Sequence, residues 1–304
     1  MRASDATGRY APSPTGPLHL GNLRTALLAW LFARSQRARF LLRIDDLDAG
    51  RVRPAVAEQQ LADLAALGLD WDGPIVRQSE RLERYAAALD RLDAGGHLYP
   101  CFCTRAEIRQ AASAPHGPLP EGAYPGTCRE LTAAQRAERE RAGRPPALRL
   151  RAEQATVAFT DRLLGRHQGV VDDLVVRRND GAPAYNLAVV VDDTAQGVGE
   201  VVRGADLLET TPRQLHVAHR LGLPVPRYAH VPLVLGPDGA RLAKRHGAVT
   251  LADRAAAGQP AELVRAQLAR SVGLAAAGEK PSLDELLARF DPSALPTEPT
   301  VVAA

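Results

Sequence analysis

Residues 9–35 read RYAPSPTGPLHLGNLRTALLAWLFARS. Three prolines and two glycines crowd the first half, and Leu23, Ala26, Leu27, Trp30 and Leu31 then recur at helical spacing. With GRYA as a short strand in front, the segment predicts strand, stiff loop and helix in that order. Such a loop feeds a helix N-terminus, where unsatisfied N–H groups and a partial positive charge favour a phosphate. The prolines reduce the entropy lost when the loop orders around a ligand. Gly21 removes a Cβ where a nucleotide base could approach the backbone, and His19 can donate a hydrogen bond to a phosphate oxygen. The four residues HLGN do not by themselves separate this reading from a structural histidine in a proline-rich turn.

Further along, RFLLRIDD reads as a buried strand and RPAVAEQQLADLAAL as a helix, with Pro54 near its start and Gly68 just past its end. Alternating strands and helices imply a parallel sheet with ligands at the carboxyl ends of its strands. Ala11 to Gly21 and Asp45-Asp46 would lie there. From about Leu98 the pattern changes to YPCFCTRAEI and YPGTCRELTAAQ, which hold all three cysteines and two capping boxes, Thr104 to Glu107 and Thr132 to Gln135. This reads as an insertion. LVVRRNDGAPAYNLAVVVDD predicts a hairpin around Asn179-Asp180-Gly181 whose second strand returns apolar residues to the main sheet. TPRQLHVAHRLGL predicts a helix with Thr211 as N-cap, Pro212 at the first helical position and Gly222 closing it.

The formal net charge of +3 is too small to argue for or against nucleic-acid binding. Three cysteines cannot pair completely and the N-terminus lacks the apolar core of a signal peptide, so a reducing, cytoplasmic compartment is expected. ALLAWLFA is far short of the roughly 20 apolar residues that cross a bilayer, so no membrane association is expected. Of 38 basic residues only Lys244 and Lys280 are lysines, so a retained lysine carries information. Lys244 stands with Arg241 and Arg245 in RLAKRHG, a loop after the strand HVPLVLG and the turn Pro237-Asp238-Gly239; a compact ammonium there can follow a moving phosphate.

APSPTGPLHLG and RLAKR, in that order, resemble the paired ATP-binding signatures of class I aminoacyl-tRNA synthetases. LLRIDDLD, YNLAVVVDD, VVRGADLLETTPRQ and YAHVPLVLGPDGARLAKRHGA narrow the resemblance to the glutamyl-tRNA synthetase catalytic core, over roughly residues 8–250. CFC with YPGTCR, Val189 where full-length enzymes carry asparagine, and the want of a large anticodon-binding region resemble the glutamyl-Q tRNA(Asp) synthetase family. That family attaches glutamate to the queuosine base at the wobble position of tRNA(Asp), not to the 3′ end. The resemblance implies an α/β fold: a Rossmann-type parallel-sheet catalytic domain, an inserted zinc-containing subdomain and a short helical C-terminal part. Its divisions are residues 8–97 and 171–250 as the catalytic halves, 98–170 as the insertion, 251–290 as helices and 291–304 as a disordered tail, with no anticodon-binding domain.

The resemblance also assigns roles. His19 and Lys244 stabilise charge on the α-phosphate and departing pyrophosphate. ATP, with Mg²⁺, meets Pro12, His19, Gly21, Asn22, Arg241 and Lys244. L-glutamate meets Arg9, Ala11, Pro12, Ser13, Asp45, Tyr185 and Arg203. Two arginines suit a substrate with a carboxylate side chain, because an uncharged glutamine would leave them unsatisfied; an acid at 45 suits the ammonium. The sequence departs from the family at Asp45, usually glutamate, and at Arg241 and Ala243, usually lysine and serine. Cys101, Cys103 and Cys128 with Tyr124 resemble the family's zinc site, one structural Zn²⁺ per chain, with His116 or His97 as alternatives for the fourth ligand. The expected partner is tRNA(Asp) containing queuosine, bound by a monomer. Rival readings are a glutamyl-tRNA synthetase charging a 3′ end, a nucleotidylyltransferase, and a non-catalytic synthetase-like RNA-binding protein.

Overall fold

Strand β1 (Gly8–Tyr10), helix α1 (Leu20–Ser35), strand β2 (Phe40–Ile44), helix α2 (Pro54–Ala66) and strand β3 (Val76–Arg77) form two right-through strand–helix–strand units whose strands pair in parallel, in the order β1-β2-β3. The computed structural model describes residues 6–104, 106–108, 123–240, 242, 246–247 and 249–301. After α3 (Leu82–Ala94) come β4 (Leu98–Cys101), α4 (Ala133–Arg141), β5 (Ala147–Leu150), β6 (Thr156–Asp161), β7 (Gly165–Val170) and β8 (Val175–Arg177). Then follow α5 (Tyr185–Ala195), β9 (Glu200–Gly204), α6 (Thr211–Arg220), β10 (Arg227–Val231) and β11 (Val234–Leu235). Last come α7 (Leu251–Ala256), α8 (Ala261–Arg270), α9 (Leu283–Arg289) and β12 (Thr300–Val301).

β9, β10 and β6 pair in parallel, and β7 lies antiparallel on β6. Gly199 and Glu200 donate to the Thr7 carbonyl at 3.0 and 3.2 Å, which brings β9 beside β1 and joins the two parallel groups. The expected parallel-sheet α/β architecture is therefore present. α1 runs across it buried nearly all round, with Leu23, Leu27, Leu28 and Leu31 fully enclosed, as befits a helix apolar on every side. The insertion contributes its own antiparallel sheet, β4-β5-β8. Its limits differ from those expected, because β6 returns to the parallel group through β10 while β8 still belongs to the antiparallel one.

Three local expectations are corrected. YNLAVVVDD is helix α5, not the return strand of a hairpin. The run of valines favours a strand locally, but in a helix Tyr185, Val189 and Asp193 share one face at i, i+4 and i+8, which brings Tyr185 to the cleft described below and Asp193 to two arginines. The N-cap position of α6 is Thr210, whose side chain makes no capping bond, while Thr211 begins the helix with its hydroxyl engaged by Arg203 and His230. The stretch from 291, expected as a disordered tail, packs through Leu295 and pairs β12 with β11 in parallel.

That last strand also partners a buried cation. Arg24, on α1, donates to Pro232 O at 2.6 Å, Thr300 Oγ1 at 2.9 Å and Ser271 Oγ at 3.3 Å, and burial lowers its guanidinium to about 10. Thr300→Val removes one acceptor from a desolvated charge. It should lower the free energy of unfolding by about 1.5–3 kcal/mol in urea titrations, with Thr300→Ser restoring most of the loss.

Candidate functional site

A cleft of about 580 Å³ opens at the carboxyl ends of β1, β2 and β9, beside the N-termini of α1 and α5. Arg9, Ala11, Pro12, Ser13, His19, Gly21, Asn22, Asp45, Tyr185 and Arg203 all line it, so ten positions expected to bind ATP or glutamate meet in one place. His19 is the N-cap of α1. Its Nδ1 accepts from the Asn22 N–H at 3.2 Å while the Asn22 side chain accepts from the His19 N–H at 3.2 Å, a reciprocal capping box. In the neutral ring the proton is then on Nε2, the edge that can donate to a phosphate oxygen. Leu20 N–H is taken by Val249 O at 2.8 Å, so the helix end presents fewer unsatisfied N–H groups than its position alone suggests. Gly21 has a local reason as well: a Cβ there would stand 3.0 Å from His19 Cε1 and 3.1 Å from its Nδ1.

The second signature is known through its neighbours. Leu242 is buried and lines the cleft, and His19 forms an isolated bridge with Thr250. Arg241, Ala243, Lys244 and Arg245 lie outside the described residues, as does His116.

The charges form two contrasting environments. Arg43, wholly buried in β2, donates to Asp45 Oδ1 at 2.7 Å and to Asp193 Oδ1 at 2.6 Å, and Asp192 stands at 3.8 Å. Arg9 reaches the same Asp193 at 3.3 Å. Burial alone would raise Asp193, but Arg9 and Arg43 outweigh it and hold the carboxyl below its ordinary range. At Asp45 burial prevails over Arg43 and the carboxyl is raised, a condition that an incoming ammonium would reverse. Arg203 differs. Its donors go to Gln214 Oε1 at 2.7 Å, Thr211 Oγ1 at 2.8 Å, His230 Nε2 at 3.0 Å and Leu207 O at 3.4 Å, all neutral acceptors. The two arginines expected to act alike therefore do not: Arg9 already shares a carboxylate, whereas Arg203 meets none within ion-pair distance among the described residues.

Sequence reasoning passed over Arg43, Asp193 and His230. The first two had a legible signal, since a charged residue inside an apolar strand or helix must find a partner in the interior. His230, in YAHV, had none beyond its apolar surroundings.

In the insertion, the ligand atoms of Cys101, Cys103 and Cys128 lie within 4.8 Å of one another, and no histidine joins them among the described residues; His97 is elsewhere, its ring against Gly95. Tyr124 Oη is 3.4 Å from Cys101 Sγ and 3.8 Å from Cys103 Sγ, and Cys103 Sγ is 3.4 Å from Cys128 Sγ. Ligands about 2.3 Å from a tetrahedral ion stand roughly 3.8 Å apart, so these four donors fit one zinc-sized ion. The Cys128 N–H donates to Tyr124 Oη at 2.8 Å, and the Arg149 guanidinium covers the tyrosine ring at 3.6 Å. Burial, with the hydrogen bond to Cys101, raises the Tyr124 phenol, so its oxygen keeps the proton unless a metal cation displaces it.

The sequence pattern of the tRNA synthetases class I (E and Q), catalytic domain, matches residues 6–293. Among curated proteins, the Glutamyl-Q tRNA(Asp) synthetase of Nocardia farcinica is 64% identical over 97% of this chain and 92% of its own length. That of Symbiobacterium thermophilum is 53% identical over 98% and 96%. Among solved structures, a glutamate tRNA ligase from Elizabethkingia meningosepticum in complex with its amino acid superposes with a TM-score of 0.84 at 27% identity, covering 98% of this chain and 67% of that one. With the cleft, the parallel sheet and both levels of similarity in agreement, the chain belongs to the class I tRNA synthetases of the glutamate and glutamine (E and Q) group.

Proposed function

We infer that the chain activates L-glutamate with ATP, without needing tRNA for that step, and transfers the glutamyl group to the queuosine base at the wobble position of tRNA(Asp). The observation that carries the first half is the cleft's division of charge: a compensated network around Arg43 beside one buried guanidinium, Arg203, left for a ligand carboxylate. The second half is supported by relatives of that name, similar across almost their whole length.

In activation an oxygen of the glutamate α-carboxylate attacks the α-phosphorus of ATP, the bond to the bridging oxygen breaks, and its electron pair leaves with pyrophosphate. Positioning and fixed charge are what the protein contributes. His19 Nε2–H donates to the α-phosphate, Lys244 follows the departing pyrophosphate, Asp45 receives the substrate ammonium, and Arg203 pairs with its side-chain carboxylate. Mg²⁺ bound with ATP would neutralise part of its charge. In transfer, a hydroxyl of the queuosine cyclopentene ring attacks the glutamyl carbonyl and AMP leaves. The zinc is structural: Cys101, Cys103, Tyr124 and Cys128 would hold one ion that ties β4 to the segment around 124–128, and no donor of that set lines the cleft.

ATP–pyrophosphate exchange should run with glutamate, ATP and Mg²⁺ alone, and Lys244→Ala should slow it by about 10²–10³-fold while the circular dichroism spectrum is unchanged. An unaltered exchange rate would remove Lys244 from the mechanism. For the transfer, tRNA(Asp) trimmed of its 3′-terminal nucleotides but containing queuosine should still accept labelled glutamate, whereas intact tRNA lacking queuosine should not. The opposite pattern would return the protein to 3′-end charging. Elemental analysis should find about one zinc per chain, with Cys128→Ser losing metal and thermal stability together. Tyr124→Phe should weaken zinc retention against a chelator; retention equal to the parent would exclude the phenolic oxygen as a ligand.

A further inference from the structure

Arg203 and His230 are cross-strand partners in the parallel β9–β10 pair. The histidine is completely buried, and Asp161, at the end of β6, lies behind it. His230 Nδ1–H donates to Asp161 Oδ2 at 2.6 Å, and the His230 backbone N–H donates to the same carboxylate at 3.1 and 3.2 Å. Leu163 and Leu164 N–H each add a bond to Asp161 Oδ1 at 3.0 Å. A carboxylate so well supplied with donors stays ionised, and its claim on Nδ1–H fixes the imidazole tautomer. Nε2 is then a lone-pair acceptor, and Arg203 Nε–H donates to it at 3.0 Å.

The consequence is a difference in charge rather than in hydrogen-bond number. Had Asp161 met Arg203 directly, the pair would be neutral, as Arg9 and Asp193 nearly are. The interposed imidazole gives the guanidinium a good acceptor, polarised by the carboxylate behind it, without cancelling its charge. Gln214 Oε1 and Thr211 Oγ1 complete a cage of neutral acceptors, and the Tyr228 ring lies under the cation at 5.2 Å. The same ring stacks on His230 at 6.0 Å with planes 9° apart, which locks the imidazole's orientation.

We propose that Asp161 and His230 are positioning residues that determine specificity: they hold Arg203 through an uncharged acceptor, so that its charge is reserved for the side-chain carboxylate of the amino-acid substrate. This rests on the glutamate-activating reading above. Discrimination follows because a neutral side chain, such as glutamine's, would leave a buried guanidinium with no counter-charge, whereas glutamate supplies it.

The test is steady-state ATP–pyrophosphate exchange on His230→Phe, His230→Gln and Arg203→Lys with glutamate and with glutamine. Phenylalanine keeps the ring and its stacking but removes the acceptor, so the KM for glutamate should rise roughly 10- to 100-fold and glutamate-over-glutamine preference should fall by a similar factor. The KM for ATP should stay within about twofold, because the network does not reach the His19 loop. Glutamine at 230 offers an amide oxygen near the place of Nε2 and should recover part of the preference. Should His230→Phe fail to fold, His230→Gln against the parent decides by the same two ratios. An unchanged glutamate KM and preference, or equal rises in the KM for glutamate and ATP, would overturn the proposal. If Arg203→Lys also leaves glutamate use untouched, the assignment of the cleft to glutamate falls with it; if Arg203→Lys is impaired and the His230 variants are not, only the relay falls.

Discussion

Arg43 is the charge on which the end of the cleft lined by Arg9 and Asp45 depends. It stands in the middle of an apolar strand, fully enclosed, where an unpaired guanidinium would cost several kcal/mol. Asp45, Asp193 and Asp192 surround it, and burial, which alone would lower its proton affinity, is outweighed by these carboxylates so that it stays charged. The carboxylates extend the network: Asp193 takes in Arg9, while Asp192 takes in Arg81 at 2.6 Å, the Tyr85 hydroxyl at 2.7 Å and Gln78 at 2.9 Å. One arginine thus fastens β1, β2, α3 and α5 together. Without it Asp45 would lose its ion-pair partner, and Asp193 would keep Arg9 alone.

Against that compensated network Arg203 is the exception, and the proposed preference for a substrate carboxylate rests on it. Both arginines at the amino-acid end are buried to a similar degree, so burial does not distinguish them. Their partners do. Arg9 has half of a carboxylate and Arg203 has an amide, a hydroxyl, an imidazole and a carbonyl. A buried cation bonded only to neutral groups is costly in the empty protein, and the ligand that lowers that cost best is one bringing a negative charge at that point. On the proposed reading, folding holds the charge in place in advance of the substrate.

Much of this was legible before any geometry. The stiff loop, its helix, the buried strand and the second helix stand where their punctuation put them, because Pro54, Gly68 and the 3.6-residue spacing act locally. So do the capping boxes, Thr132 with Gln135 among them. α5 was misread because three successive valines favour a strand, and only its packing and its two acids, which need partners on other elements, decide for helix. The residues from 291 were misread for a similar reason: their composition is that of a loose end, and the acceptor they supply belongs to Arg24, some 276 positions earlier. Ten positions expected to bind ATP or glutamate line one cleft, yet the sequence treats Arg9 and Arg203 as equivalents. What separates them is the tautomer of a histidine on the neighbouring strand, 27 positions after Arg203, which no local pattern encodes.

The end of the cleft assigned above to ATP is built differently from the end assigned to glutamate. There the organiser is α1, whose first turn carries His19 and whose buried face collects segments from late in the chain. Leu20 N–H holds Val249 O, Thr250 bridges to His19 and caps α7, and Arg24 holds Pro232 O next to the cleft-lining Leu233 and Val234. Phe32, near the other end of the helix, meets Phe290 edge-on at 5.2 Å. Residues after 230 therefore do more than follow the catalytic sheet: they pack on the helix that presents the first signature and fasten both flanks of the second to it. The end around Arg43 is thus held by buried charge, which salt screens little, and the end around His19 by packing and backbone hydrogen bonds. These differently stabilised halves adjoin at the proline-rich loop between β1 and α1, which lines the cleft.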